Sequence, residues 1–239
     1  MQNLKNISAK LLIPFISLVK LIFFYALPSR LIKPTAIDVL NDRTQESSAR
    51  YIDENIDHAM IFNQRTDLWS YSINSVSVNG MYVEFGVSWG KSINYISKIL
   101  KSGQTITGFD SFLGLKEDFL GTKFTKNSFS TGGKIPKVGK NVELRVGWFS
   151  DTIPKFLSER SDLFSFIHMD ADTYTSTTEV LELIKDRISD GTILVFDEYI
   201  GVPNWQNNEY KAWTEFVRKY KIKYQYIAFS SQAVAIRVI

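Results

Sequence analysis

The sequence predicts an α/β fold: a mostly parallel sheet with helices on both faces and an antiparallel last strand. Three observations carry this. Between residues 81 and 196, apolar runs of five to seven residues alternate with segments of helical spacing. These runs are continuous rather than alternating, which marks strands covered on both faces. After the helical segment 212–220, two further runs, 224–229 and 233–238, follow each other across a short turn and read as an antiparallel hairpin. With 239 residues, 44% of them hydrophobic, the chain can bury one substantial core.

The elements are organised around residues 81–92. Met81 to Phe85 is a short apolar run holding one acid, Glu84, near its end. Gly86, Ser88 and Gly90 then punctuate a turn, and from Ser92 onward Ile93, Ile96 and Ile99 fall at helical spacing. Strand, glycine turn and helix together bring backbone N–H groups and a helix N-terminus against a ligand. Gly86 permits a torsion or a close approach that a Cβ would block. Glu84 is placed to accept hydrogen bonds from a ligand. The pattern is E-x-G-x-x-x-G rather than the G-x-G-x-x-G of dinucleotide sites, and a purely structural turn is the competing reading.

Further along, strands are expected at 105–109, 142–146, 163–169 and 192–196. Helices are expected at 152–157, capped by Asp151, and at 175–188, with Val180, Leu181, Ile184 and Ile188 as the buried stripe. Residues 111–140 are polar and glycine-containing and read as a long excursion near the site. Residues 51–78 read as helical and 28–50 as a polar linker. The expected organisation is therefore an N-terminal hydrophobic helix and linker over 1–50 and an α/β domain over 51–239.

Composition excludes several classes. There is no cysteine, hence no disulfide framework, thiolate nucleophile or zinc–thiolate site. Two histidines, His58 and His168, leave little room for a histidine-rich metal site, and His168 reads as a residue within the sheet. Residues 1–37 carry five basic residues and no acid, so the remainder holds 23 basic and 25 acidic residues, a balance of −2. A near-neutral body without basic clusters excludes a nucleic-acid-binding domain. Residues 4–27 are apolar on one face, but Lys20 keeps any charge-free stretch below the ~18 residues of a spanning helix. Two readings stand for them: an interfacial helix with basic anchors, giving peripheral contact at the inner face of the membrane of a cytoplasmic protein, or an arm packed on the body or on a second subunit of a homodimer.

In an open α/β sheet, ligands bind beyond the carboxyl ends of the strands. Here every expected parallel strand ends in a useful group: Glu84, Asp110, Gly147, Asp170, and Asp197 with Glu198. Asp110 stands 20 residues after Gly90, about the distance at which an acid meets a ribose hydroxyl pair. Trp148 and Phe149 could wall an adenine. If the last two parallel strands are neighbours, Asp170, Asp172, Asp197 and Glu198 converge, and a hard divalent cation such as Mg²⁺ would relieve their repulsion. Asp170, Asp197 and Glu198 are the favoured ligands, since Asp172 can instead cap the following helix.

Five segments in order carry a resemblance: 83–92 (Val83-Glu84-Phe85-Gly86-Val87-Ser88-Trp89-Gly90-Lys91-Ser92), 108–115 (with Asp110 and Ser111), 147–154 (Gly147-Trp148-Phe149-Ser150-Asp151-Thr152-Ile153-Pro154), 167–174 (with Asp170 and Asp172) and 196–199 (Phe196-Asp197-Glu198-Tyr199). Over residues 80–200 the chain resembles class I S-adenosylmethionine-dependent methyltransferases, and more narrowly the macrocin O-methyltransferase (TylF/MycF-like) group. The resemblance implies a Rossmann-like seven-stranded sheet and a cofactor site of Glu84, Gly86, Ser88, Gly90, Ser92, Asp110, Ser111, Gly147, Trp148, Phe149 and Asp170. It also implies Mg²⁺ on Asp170, Asp197 and Glu198, although the group more often has paired aspartates where Asp197-Glu198 stands. The expected reaction is Mg²⁺-assisted methyl transfer to a hydroxyl of a sugar or glycan, as in polysaccharide biosynthesis, with Asp170 or Asp172 accepting the proton. Two alternatives are an NAD(P)-dependent oxidoreductase, disfavoured by the missing G-x-G-x-x-G, and a non-catalytic membrane-attached binding module, disfavoured by the intact strand-end acids.

Overall fold

The computed structural model describes residues 34–239, with Val19 the single described position before them. The reading of residues 4–27 as a helix therefore falls outside the described residues. Among the described residues no helix is long and apolar enough to cross a membrane. The chain divides into two compact units, 1–43 and 44–239.

The described elements are α1 (Ala36–Asn55), β1 (Met60–Phe62), α2 (Arg65–Asn74), β2 (Met81–Phe85), α3 (Lys91–Ile99), β3 (Ile106–Asp110), β4 (Val142–Val146), α4 (Phe149–Ser158), β5 (Phe164–Met169), α5 (Tyr174–Ile184), β6 (Ile193–Phe196), α6 (Glu209–Tyr220), β7 (Tyr224–Ser230) and β8 (Ala233–Val238). The strands form one sheet in the order β1-β7-β8-β6-β5-β2-β3-β4. β8 is antiparallel to both β6 and β7, and all other pairings are parallel. The single reversed strand is thus the last one, as expected.

The sheet has eight strands rather than seven. The additional strand, β1, lies at the edge and pairs Met60–Phe62 with Ala228–Ser230. It interrupts a region expected to be helical throughout, because three residues are too few to show a strand period. Residues 36–50, expected as part of a polar linker, are helical and run on into 51–55, where a helix is expected. Thr35 and Asp38 form a reciprocal cap at the start: Asp38 N donates to Thr35 Oγ1 at 3.2 Å and Thr35 N to Asp38 Oδ2 at 2.8 Å. The polar composition reflects how little of this helix is buried, only Thr44 and Ser48. α4 begins earlier than expected, with Trp148 as its N-cap, so Asp151 sits inside the first turn, where the helix dipole favours an acid. α5 is capped by Thr173, whose Oγ1 accepts from Ser176 N, and not by Asp172.

The period of two along each strand sorts the core into two layers. Val83, Phe85, Ile167, Met169, Leu194 and Phe196 face α4, α5 and α6, where they meet Phe156, Leu181, Ile184 and Trp213. Tyr82, Phe166, Ile193 and Val195 face α2 and α3, where they meet Leu68, Trp69, Ile93 and Ile96. Glu84 and His168 belong to the second set by the same alternation, and both are fully buried.

Candidate active site

β2 has β3 on one side and β5 on the other, so the chain reverses its direction of travel across the sheet there. Such a switch point opens a crevice beyond the strand ends. Backbone bonds continue past those ends and hold the five tips in one row. Gly86 N donates to Phe109 O at 3.0 Å, Gly147 N to Asp110 O at 2.9 Å, Asp170 N to Phe85 O at 2.9 Å and Asp197 N to Met169 O at 3.0 Å. Gly86 and the expected strand-end residues Asp110, Gly147, Asp170 and Asp197 therefore stand on one rim.

A cleft opens on this rim. Of the expected site residues, Gly86, Ser88, Asp110, Ser111, Gly147, Trp148, Phe149, Asp170, Asp172, Asp197 and Glu198 line it. Glu84, Gly90 and Ser92 do not. Glu84 points into the layer under α3: Ser92 Oγ donates to Glu84 Oε1 at 3.0 Å, and His168 Nδ1 lies 3.0 Å from Glu84 Oε2. The pleat is the reason, since a residue one place before the strand end faces a helix layer rather than the rim. Burial pushes the Glu84 carboxyl up, against the opposing pull of His168 and Ser92. Gly90 is the N-cap of α3 at φ 75°.

Gly86 is required sterically. At φ 94°, a Cβ would sit 1.8 Å from Asp170 O. Asp110 braces the same turn. Its Oδ2 accepts from Val87 N and Ser88 N, both at 2.7 Å, and its Oδ1 from Phe112 N at 2.6 Å. The acid read as a ribose partner thus also shapes the turn that faces the ligand. On the opposite wall, Phe149 packs edge-on against Phe85. Lys116 Nζ lies over the Trp148 ring, 5.1 Å from its centroid, and is held there by Glu179 at 2.8 Å.

The acids form the charged end of the cleft. Asp170, Asp172 and Glu198 bring carboxylate oxygens within 4.8 Å of one another. The expected trio had Asp197 in place of Asp172. Asp197 is instead engaged by cations: Arg65 Nη1 donates to its Oδ2, and His168 Nε2 stands 3.7 Å from its Oδ1. Burial would raise the Asp197 carboxyl, but the nearby His168 and Arg65 charges outweigh it and hold the group low. Burial would also lower the His168 imidazole, yet the neighbouring Asp197 and Glu84 carboxylates lift it to about 9. Burial, followed by the Asp197 and Glu198 charges, pushes Asp170 well above the carboxylate range. Burial and the Asp197 charge likewise lift Glu198, whose Oε2 is buried without a hydrogen-bond partner. Asp172 is pushed up to about 7, chiefly by burial and then by the Asp197 and Asp110 charges.

Sequence reasoning missed Arg65, Lys116 and Phe129. The last two belong to the excursion 111–140, which was assigned to the site only as a whole. Arg65 opens α2, far from any strand end in sequence, and no local pattern marks it.

Residues 83–199 match the family described as methyltransferase domain. The chain is 27% identical over 166 residues to the 8-demethyl-8-(2,3-dimethoxy-alpha-L-rhamnosyl)-tetracenomycin-C 4'-O-methyltransferase of Streptomyces olivaceus, a match covering 59% of this chain and 62% of that relative. Among solved structures it is similar to CalS11, a calicheamicin methyltransferase, with a TM-score of 0.60 at 18% identity over 85% of this chain and 93% of that one. It is also similar to the O-methyltransferase NovP, with a TM-score of 0.57 at 21% identity over 72% of this chain and 78% of that one. At these identities the structural matches establish a shared Rossmann-like fold. Every residue that lines the cleft lies within the segment 83–199 that matches the methyltransferase domain family.

Proposed function

We propose that this protein is an S-adenosylmethionine-dependent O-methyltransferase acting on a hydroxyl of a sugar-bearing small molecule or glycan. The observation that carries it is one cleft with a glycine turn and an aromatic wall at one end and a group of converging acids at the other. The sugar character of the acceptor rests on the tetracenomycin relative, whose name assigns it a rhamnosyl substrate. The cofactor would supply an electrophilic sulfonium methyl group, and the work of the chain is to orient and to manage a proton.

Gly86 and Ser88, braced by Asp110, shape the surface against the cofactor's amino-acid and ribose parts. Trp148 and Phe149 offer flat apolar faces for an adenine. Asp172, lifted to about 7, is suited to accept a proton at the acceptor hydroxyl near neutral pH. Asp170, Asp172 and Glu198 fit a hard divalent cation: they supply only oxygen, they repel one another, and Glu198 Oε2 lacks a partner. Bound Mg²⁺ would make the acceptor hydroxyl more acidic.

Thermal shift separates this reading from the oxidoreductase alternative. S-adenosylhomocysteine should raise the melting temperature and NAD should not. Stabilisation by NAD alone would refute the proposal. A methylation assay against nucleotide-linked and glycoside acceptors, with Mg²⁺ present or chelated, then tests acceptor and cation together.

A further inference from the structure

The excursion 111–140 gathers charge of one sign. It holds six lysines and two acids, while the rest of 38–239 holds 17 basic and 23 acidic residues. The same segment exposes Leu113, Leu120, Phe129 and Ile135, and Trp89 in the glycine turn is 60% exposed. Three of these apolar side chains share one place. Ser88 Oγ donates to Phe129 O at 3.2 Å, a Cβ on Gly90 would lie 3.2 Å from Pro136 Cβ, and Asn94 Nδ2 donates to Lys137 O at 3.0 Å. Residues 129–137 therefore run along the turn and the start of α3, and set the exposed Lys91, Lys134 and Lys137 beside Trp89, Phe129 and Ile135. Among the described residues none of these three lysines forms an ion pair, whereas Lys116 is tied to Glu179. Phe129 also lines the cleft, so this face reaches the cleft mouth.

We propose that this face docks the protein on an anionic lipid bilayer. Isolated apolar side chains on a surface need no explanation, but here apolar groups and unpaired lysines are interleaved over one strip. Interleaving suits a bilayer: apolar tips enter the acyl boundary while lysine stems lie along it and carry their charges to anionic headgroups. An indole at the centre of the strip has the amphipathic character that favours the membrane–water boundary. A protein partner fits less well, because lysine is depleted where protein interfaces bury apolar groups. On the methyltransferase reading given above, docking beside the cleft favours an acceptor hydroxyl on a glycan carried by a lipid.

The test is co-sedimentation of the full chain with phosphatidylcholine vesicles, with and without about 30% phosphatidylglycerol. Binding should require the anionic lipid and weaken as salt is raised. Lys134→Gln/Lys137→Gln and Trp89→Ser/Ile135→Ser should each bind about tenfold more weakly, with melting temperatures within about 2 °C of the natural chain because all four side chains are exposed. Vesicles with brominated acyl chains read the contact itself. Trp89 alone of the five tryptophans is exposed, so bromine should quench its fluorescence, and Trp89→Phe should remove the quenching. Both double variants leave residues 4–27 intact, so unchanged binding in the two would assign the membrane contact to that segment and overturn the proposal. So would binding that ignores phosphatidylglycerol, or no quenching of Trp89. Loss of a dimer in Trp89→Ser/Ile135→Ser without vesicles would assign the face to a second copy of the chain and overturn it as well. None of these readouts needs methyl transfer, so failure here leaves the methyltransferase reading to its own test.

Discussion

Replacing Gly86 by Ala probes the turn on which the site is built, and its cost can be worked from the structure. The backbone at φ 94° imposes about 1–2 kcal/mol of strain on any L side chain. The new Cβ would lie 1.8 Å from Asp170 O, a backbone atom, more than an ångström inside any normal contact. Relief requires the turn and the β5 tip to separate, at the ~1–3 kcal/mol typical of overpacking. Separation also strains the Asp170 N to Phe85 O bond, worth about 1 kcal/mol. The total is roughly 3–6 kcal/mol, or on the order of 10 °C in melting temperature for a domain of this size. Gly103 is the control: its φ is 85° and a Cβ there meets nothing within 4 Å, so Gly103→Ala carries the torsional strain alone. Thermal denaturation and calorimetric titration with S-adenosylhomocysteine would be run on both variants. Gly86→Ala should melt well below Gly103→Ala and bind the nucleoside about tenfold more weakly, as expected when a positioned contact is displaced. If the two variants melt within about 2 °C of each other and bind alike, the close approach of β2 and β5 is not what requires glycine.

Asp172→Asn should lower kcat by about 10²–10⁴, read from steady-state rates of both proteins. The same group makes a stability prediction. Its folded value is raised from 3.8 to about 7, so the folded state holds the proton longer than the unfolded chain, and stability falls as pH rises across that interval. Urea midpoints at pH 5 and pH 8 should therefore converge in Asp172→Asn relative to the natural chain. Mg²⁺ should raise the melting temperature more at pH 8 than at pH 5, because the cation competes with protons for Asp170, Asp172 and Glu198. Lys116→Ala should weaken S-adenosylhomocysteine binding several-fold with little change in melting temperature, since its half-exposed ion pair with Glu179 adds little stability while its contact positions Trp148.

How much of the site was legible depended on how local its cause was. The Gly86 turn, Asp110, Trp148 and the acids after β5 and β6 each lie at the end of a strand, and strand ends can be read from runs of apolar residues. What they do there was less legible. Asp110 spends its oxygens on three backbone N–H groups, two of them 22 and 23 residues away in sequence. Glu84 stands one residue short of its strand end, and the pleat turns it under α3 rather than toward the cleft. Asp172, not Asp197, joins Asp170 and Glu198 in the converging trio, and Asp197 bonds Arg65, 132 residues distant. Strand β1 was missed because its pairing partner, β7, comes some 170 residues later and three residues show no period.

By itself, the order of residues determined the layered α/β plan, the reversed last strand and the row of polar groups along one sheet edge. All three follow from apolar periodicity and from where polar residues interrupt it, which are properties of neighbours in the chain. Only the tertiary structure decided which carboxylates converge, which are neutralised by Arg65 and His168, and which residue of each strand end faces the cleft. Those outcomes depend on charges and packing faces brought together from distant segments, and electrostatic energy is set by distance in space rather than by separation along the chain.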